Sequence, residues 1–351
     1  IQHSFWTLLG VVTTIFFLFN VLPGDPAQMM LGQNEDQAQL AIVKQKYGFD
    51  QPVLTQYLYY LNDLSPLSFH SNSSEDYTFL ESHPYSFQPL FKTTNTTLVL
   101  KYPYLRTSFT KQGKEVSQIL KETLPNTIIL AVASICVALI LGLFLGVISA
   151  LYKDHWVDKT ILVVSTFGMS LPSFFSAILA AWIFGFLLHH YTGLEMTGSL
   201  YELDDFGEVY QLRLKNLILP ALVLGIRPLA VVTQLMRNSL LEVFNQDYIR
   251  TARAKGLSEF QIITKHAMKN ALNPVVTAIS GWFASLLAGA VFVEYIFAWN
   301  GLGKEIVNAL NTLDLPVIMG AVLIIALTFV LINIFVDIIY TYLDPKIKLN
   351  S

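Results

Sequence analysis

From Leu124 to Leu151 the chain carries no charged side chain. A run this long and this apolar has the length of a bilayer-spanning helix. Five more runs read the same way: residues 5–22, 159–188, 217–243, 274–297 and 316–342. The composition agrees, with 53% of residues hydrophobic and 13% charged and a positive mean hydropathy, as in membrane proteins. The runs overrule the two soluble domains that 351 residues would otherwise suggest. The expected fold is an all-α integral membrane protein with six transmembrane helices.

The runs carry their own punctuation. Gly142 and Gly146 form a small-xxx-small pair that lets another helix approach closely. The third run is interrupted at Ser170-Leu171-Pro172. The first ends at Pro23-Gly24-Asp25-Pro26 with no small-residue cleavage site, so it reads as a retained span and not a signal peptide. The chain opens on Ile1 without methionine, and a short preceding piece is expected. Basic residues at 152–159, in the stretch 247–274 and at Lys346 and Lys348 fall on one side of a six-span chain. By the lysine and arginine rule that side is the cytoplasm. Both termini are then cytoplasmic, and residues 27–121, 189–216 and 298–315 face outward. The expected organisation is helix 1 at 1–23, an extracytoplasmic subdomain at 24–121, a five-helix core at 122–345 and a cytoplasmic tail at 346–351. Within the subdomain, 35–46 and 52–64 read as short helices, the second with Tyr57, Tyr60 and Leu61 on one face. Residues 97–102 suit a strand.

Little in the sequence points to chemistry. The net charge of −3 does not suggest nucleic acid. Cys136 is the only cysteine, so no disulfide forms within the chain. No HExxH occurs, and His189-His190 sit at a span end. Gly301-Leu302-Gly303-Lys304 lacks the spacing of a phosphate-binding loop. Ser173 and Ser176 lack a histidine and an acid at helical spacing, and Asp204 and Asp205 read as a solvated loop. No catalytic machinery, nucleotide site or metal site is visible. Uphill movement would draw energy from a partner or an ion gradient.

The basic stretch 247–274 specifies a shape. Asp247 suits an N-cap, and Gly256 suits a left-handed helix end. Ser258 with Gln261 forms a capping box. This writes helix, glycine corner, helix. Ile249 and Ala252 share a face of the first piece, and Phe260, Ile263 and Ala267 share a face of the second. An apolar face on such a loop needs something to pack against. Arg227 stands near the middle of the fourth run, where an arginine costs about 2.5–3.5 kcal/mol on insertion scales. It is expected to face a cavity or a partner, bonding either a substrate carboxylate or carbonyls and acids across a subunit interface. Pro228 loosens the helix beside it.

The run TARAKGLSEFQIITKHAMKNALNPVVT resembles the coupling region of bacterial ABC-importer permeases of the dipeptide/oligopeptide/nickel family. LPGDPA, YGFDQP, LPNT, SLPSFF, LILPAL, EYIFAWNGLG and YLDPKIK match in the right order, so the resemblance covers nearly the whole chain. It is greatest to the first of the two permease subunits. Two departures stand out. Residues 65–101 look like an insertion, expected to pack over the pathway mouth or against a binding protein. The Glu-Ala-Ala triplet of such permeases reads Arg250-Thr251-Ala252, while Gly256 is kept.

The resemblance implies a type I ABC-importer permease architecture in a bacterial inner membrane, with a peptide as cargo. It implies coupling to cytoplasmic ATPases through the loop 244–273, at Tyr248, Arg250, Ala252, Arg253, Ala254, Lys255, Gly256, Leu257, Ser258 and Glu259. Pathway or gate positions would be Ser170, Pro172, Phe174, Arg227, Glu294 and Gly301, with Glu294 bonded to backbone at an outer turn. The implied partners are a second permease subunit, two ATPase subunits that hold ATP and magnesium, an extracytoplasmic binding protein and the lipid bilayer. The chain itself would hold no cofactor and be no enzyme. Nickel or oligosaccharides are alternative cargoes. A gradient-driven secondary transporter is the rival class, but it calls for inverted repeats that the sequence does not display. A membrane-embedded assembly subunit is a further rival.

Overall fold

The computed structural model describes residues 2–21, 27–28, 37–74, 76–80, 85–111, 113–204 and 207–343. The 23–26 stop, Asp205 and the tail with Lys346 and Lys348 lie outside them. Two compact units emerge, one of residues 1–122 with 308–327, the other of residues 123–307 with 328–351.

In the first unit, α1 (Gln2–Val21), α2 (Gln37–Tyr47) and α3 (Val53–Leu64) precede three strands. These are β1 (Leu67–Ser71), β2 (Phe87–Lys92) and β3 (Thr96–Lys101), antiparallel in the order β1-β3-β2. The expectation of an all-α chain is therefore corrected: β-branched and aromatic residues in 67–101 pair as a sheet. Tyr57, Tyr60 and Leu61 of α3 pack with Val12, Ile15 and Phe16 of α1, as their helical spacing requires. Asp63, at the end of α3, accepts from Arg106 Nε at 2.9 Å and from the Tyr77 hydroxyl at 3.1 Å. Burial pushes the Tyr77 hydroxyl up, so it remains a neutral donor. Asp314 is buried, and its carboxylate accepts from Ser108 Oγ, Thr110 Oγ1 and the backbone N–H groups of Phe109 and Thr110.

The second unit is helical. It contains most of α4 (Val116–Leu151), then α5 (Trp156–Ser170), α6 (Ser173–Ala180) with a π-helical continuation (Ala181–Leu187), and α7 (His189–Thr192). A hairpin of β4 (Tyr201–Leu203) and β5 (Tyr210–Leu212) leads into α8 (Lys215–Phe244). Next come α9 (Asp247–Ala254), α10 (Glu259–Gln261), a π-helical turn (Ile262–Ala267) and α11 (Met268–Ala271). The last are α12 (Asn273–Gly289), α13 (Val291–Ile296), α14 (Leu302–Asn311) and α15 (Leu315–Leu343).

Among the described residues, α4, α8 and α15 are long and apolar enough to cross a membrane. The pair at 156–170 and 173–187 meets the same test together, bent by 105°. The bend has a local cause: Leu171, just before Pro172, is extended with ψ 138°, as proline demands of its predecessor. α1 and α12 are shorter apolar helices. The fifth run, read as one span over 274–297, is two helices, α12 and α13.

α8 organises the second unit, with α5, α6 and α12 packed against it. Gly142 and Gly146 of α4 also meet it. A Cβ on Gly146 would stand 2.7 Å from Met236 Cβ and 2.9 Å from the Thr233 carbonyl. One end of the unit is tied by ions. Arg237 donates to both oxygens of Asp158, at 2.7 and 2.6 Å, and Ser149 donates to the same carboxylate.

Gly146→Val should push α4 off α8 and cost about 1–3 kcal/mol, the usual penalty of overpacking. The check is thermal unfolding in detergent together with the yield of folded protein. An unchanged midpoint would contradict the packing described.

Candidate functional site

The basic corner begins one residue earlier than expected. Gln246 is extended (φ −75°, ψ 147°) and takes the N-cap place, so Asp247 lies in the first turn and does not cap with its side chain. There its charge still favours the positive helix end. Lys255 closes α9 and Gly256 takes φ +78°. The Gly256 and Leu257 N–H groups donate back to the Arg253 and Ala252 carbonyls. Ser258 and Gln261 form both bonds of the capping box. Arg253 Nε donates to Glu259 across the corner at 3.0 Å. Both partners are exposed, so the pair guides geometry and adds little stability.

The apolar faces point inward. Ile249, Ala252, Ile262, Ala267 and Ala271 form one buried cluster with Val232, Met236, Leu240 and Val243 of α8. Phe260, expected on that face, is 75% exposed. The other two residues of the expected face, Ile263 and Ala267, are buried, with Ile262 beside them at the start of the π-helical turn. The face read as a contact for another protein is thus the anchor of the corner on its own chain. Ala252 is buried and Leu257 half-buried. Tyr248, Arg250, Arg253, Ala254, Lys255, Gly256, Ser258 and Glu259 are left on the surface, with Phe260 beside them.

A second group gathers at the break between α5 and α6. Ser170, Pro172 and Phe174 are exposed. Gly168, in the last turn of α5, lies against Ile226 of α8, which sets the break beside the turn carrying Arg227. Arg227 is exposed and has no hydrogen-bond or ion-pair partner among the described residues. Glu294 is engaged elsewhere, and the Asp337 side chain is outside what the structure describes.

Glu294 and Gly301 belong to a third group. Glu294 is fully buried. Its Oε2 accepts from the backbone N–H of Gly303 at 2.6 Å and of Lys304 at 3.3 Å. Leu302 N–H donates to Thr127 Oγ1 at 2.8 Å. The first three N–H groups of α14 are therefore capped by side chains from α13 and α4. Gly301 lies directly on the Glu294 carboxylate, where a Cβ would collide. Trp299 Nε1 donates to the Asn126 carbonyl, Asn126 Nδ2 to the Asn300 carbonyl, and Asn300 N–H to Ser199 Oγ. Glu294 is thus bonded to backbone through Oε2, while its Oε1 is buried with no hydrogen-bond partner among the described residues.

Sequence reading missed Thr127, Asn126 and Ser199 as members of the third group, and the Asp158–Arg237 pair. Their partners lie far along the chain and leave no periodic signal. Among the described residues no three His, Cys, Asp or Glu side chains gather as a metal would need.

The family model described as binding-protein-dependent transport system inner membrane component matches residues 142–349. The model of the N-terminal part of such components matches residues 2–75. The chain is 32% identical to the dipeptide transport system permease protein DppB of Alkalihalophilus pseudofirmus, over 97% of this chain and 95% of that one. It is 30% identical to the "Probable D,D-dipeptide transport system permease protein DdpB" of Escherichia coli K12, over 98% of each. Among solved structures, a chain of the inward-facing MetNI methionine ABC transporter is similar with a TM-score of 0.51 at 16% identity. That likeness covers 65% of this chain and 97% of the other, and it concerns the fold alone.

Glu294→Ala should leave buried N–H groups of α14 without an acceptor, at about 1–3 kcal/mol for each group. Glu294→Gln keeps an oxygen in place and should cost much less. Unfolding midpoints of the two variants in detergent check this, and equal losses would contradict the capping role.

Proposed function

The chain belongs to the family of inner membrane components of binding-protein-dependent transport systems, and on that footing we propose that it is one of two permease subunits of an ATP-driven peptide importer. Relatives named for dipeptide and D,D-dipeptide transport support the cargo class. In this reading the chain crosses the inner membrane six times with both termini in the cytoplasm. A second permease completes the pathway, a binding protein delivers cargo, and two ATPase subunits hold and hydrolyse ATP.

One observation carries the mechanism: the basic corner and Arg227 ride on the same helix. The corner is held to the end of α8 by the apolar cluster around Met236 and Leu240. Arg227 lies 17 residues before Phe244, about 26 Å along α8. An ATPase that grips Tyr248, Arg250, Arg253 and Lys255 and shifts them therefore shifts α8. The α5 and α6 helices packed on it follow, and the break at Ser170–Pro172 opens or closes the route. Gly256 sets the shape of the gripped part. Glu294 and Gly301 serve the outer gate as a rigid plate. Arg227 faces the route, where a guanidinium attracts the carboxylate of a peptide and releases it as the helix moves.

Gly256→Val forces a β-branched residue into a left-handed conformation, with strain of about 1–3 kcal/mol. Space is not the obstacle, because nothing lies within 4 Å of an added Cβ. Gly256→Val should insert normally, keep ATP hydrolysis and lose most uptake. Gly256→Asn, which tolerates positive φ, should retain most of it. Normal uptake by the Val variant would refute the coupling role.

Arg227→Gln should lower uptake of free-acid peptides by about tenfold or more, the equivalent of about 1.4 kcal/mol. Uptake of C-terminally amidated peptides should change little. Equal losses for both would assign Arg227 to the interface with the second permease.

A further inference from the structure

The β1–β3–β2 sheet is inside out for a sheet in water. Its covered face carries Ser68, His70, Thr97 and Lys101, all buried, with Val99 between them. These polar groups are satisfied. Ser68 Oγ meets His70 Nε2 at 2.9 Å, and His70 Nδ1 meets the Thr78 carbonyl at 2.9 Å. Thr97 Oγ1 donates to Asn72 Oδ1, and Lys101 Nζ to the Asp63 carbonyl. The outer face carries the large apolar side chains. Leu67 stands opposite Leu100, and Phe69 opposite Leu98, which in turn stands opposite Phe91. Phe69 and Phe91 are 65% and 66% exposed. An antiparallel sheet with one wet face places its polar residues there. An exposed apolar patch of this kind marks a membrane or protein contact.

The patch continues onto α3. Leu54 and Leu58 are exposed, one turn apart, and Asn62 follows at the same spacing. The Asn62 side chain accepts from the Phe69 N–H at 2.8 Å and donates to the Phe69 carbonyl at 2.9 Å. It thereby covers the edge of β1 at Phe69 and joins the two apolar surfaces.

The depth of α3 decides what covers the patch. The Tyr57 hydroxyl bonds Thr13 Oγ1 at 2.7 Å, and the Tyr57 ring lies on Phe16 and Phe17. Thr13 is eight residues before Val21, about 12 Å along α1 from its end. Residues 4–19 of α1 contain no charge. So α3 lies alongside apolar α1, with Leu54 and Leu58 on its outer flank and the exposed Phe17 and Leu18 of α1 nearby. No aspartate or glutamate occurs in the three strands, and tyrosines such as Tyr57 and Tyr102 suit a membrane–water boundary.

We propose that α3 and the apolar face of the β1–β3–β2 sheet form a monotopic patch seated in the lipid interface of the leaflet next to the Val21 end of α1. Its occupant is lipid: acyl chains against Leu54, Leu58, Phe69 and Phe91, and headgroups toward the 93–96 turn. The polar covered face then turns toward the rest of its own unit. This replaces the expected role of residues 65–101 as a lid or a binding-protein dock. An apolar flank beside a membrane helix, free of acidic side chains in its strands and with the exposed Lys92 at its rim, is the pattern of interfacial elements.

The test uses the assembled transporter in lipid nanodiscs, with a genetically encoded fluorescent amino acid in place of Phe91, Leu58 or Asn95. The discs are of phosphatidylcholine, either plain or dibrominated near the headgroup end of one chain. Bromolipid should quench positions 91 and 58 several-fold more strongly than 95, and aqueous iodide should do the reverse. Iodide quenching at 91 and 58 equal to that at 95 would place the patch in water and overturn the proposal. Resistance at both positions to both quenchers would place it under another protein, such as a binding protein or second permease, and would overturn it equally.

Discussion

A polar group buried in packed protein has no water to return to, and this structure depends on that constraint throughout. The start of α14 shows it most clearly. Its first three N–H groups are met by Thr127 and Glu294 from two other helices. Asp158 has its charge matched by Arg237, and Asp314 is enclosed by the hydroxyls and N–H groups of residues 108–110. Removing one partner from any of these leaves a buried group unsatisfied, so each cluster fixes geometry more than it adds stability. The turns and helix ends in these places are thereby held rigidly by their side-chain bonds.

That rigidity gives the basic corner its meaning. A loop that only set topology by charge would need no buried anchor. This one spends its apolar residues on α8: Ile249 and Ala252 from one side of Gly256, Ile262 and Ala267 from the other. What remains outside is a short, charged, glycine-cornered surface. The same helix carries Arg227, which is exposed and has no hydrogen-bond or ion-pair partner among the described residues. An exposed cation in the middle of a long apolar helix supports the proposed role of Arg227 in the route.

Legibility in the sequence followed the range of each interaction. Gly256, Ser258 and Gln261 were readable because caps are made by residues three or four apart. Gly142 and Gly146 announced a close helix contact, though not that α8 would supply it. Of the apolar stripe, Ile263 and Ala267 are buried as their spacing suggested, while Phe260, just before the π-helical turn, stays on the surface. Gln246 displaced Asp247 as the N-cap for a similarly local reason, the extended backbone one residue earlier. The links Asp158–Arg237, Thr127–Leu302 and Asp314–Ser108 join residues far apart in sequence and were invisible. The strand expected at 97–102 is β3, Thr96–Lys101. Leu67, Phe69, Leu98 and Leu100 alternate as strands should, but alternation alone does not say which face is buried.

The central claim is that the corner and α8 move as one body. It is tested most directly by pulsed electron paramagnetic resonance distances within this chain, in an assembled transporter freed of its other cysteines. Spin labels at Lys255 on the corner and at Leu222 near the far end of α8 report that distance. The account predicts one narrow distribution that stays the same in the resting state and after trapping with ATP and vanadate. A shifted or broadened distribution on trapping would show the corner flexing on α8, and would contradict the account.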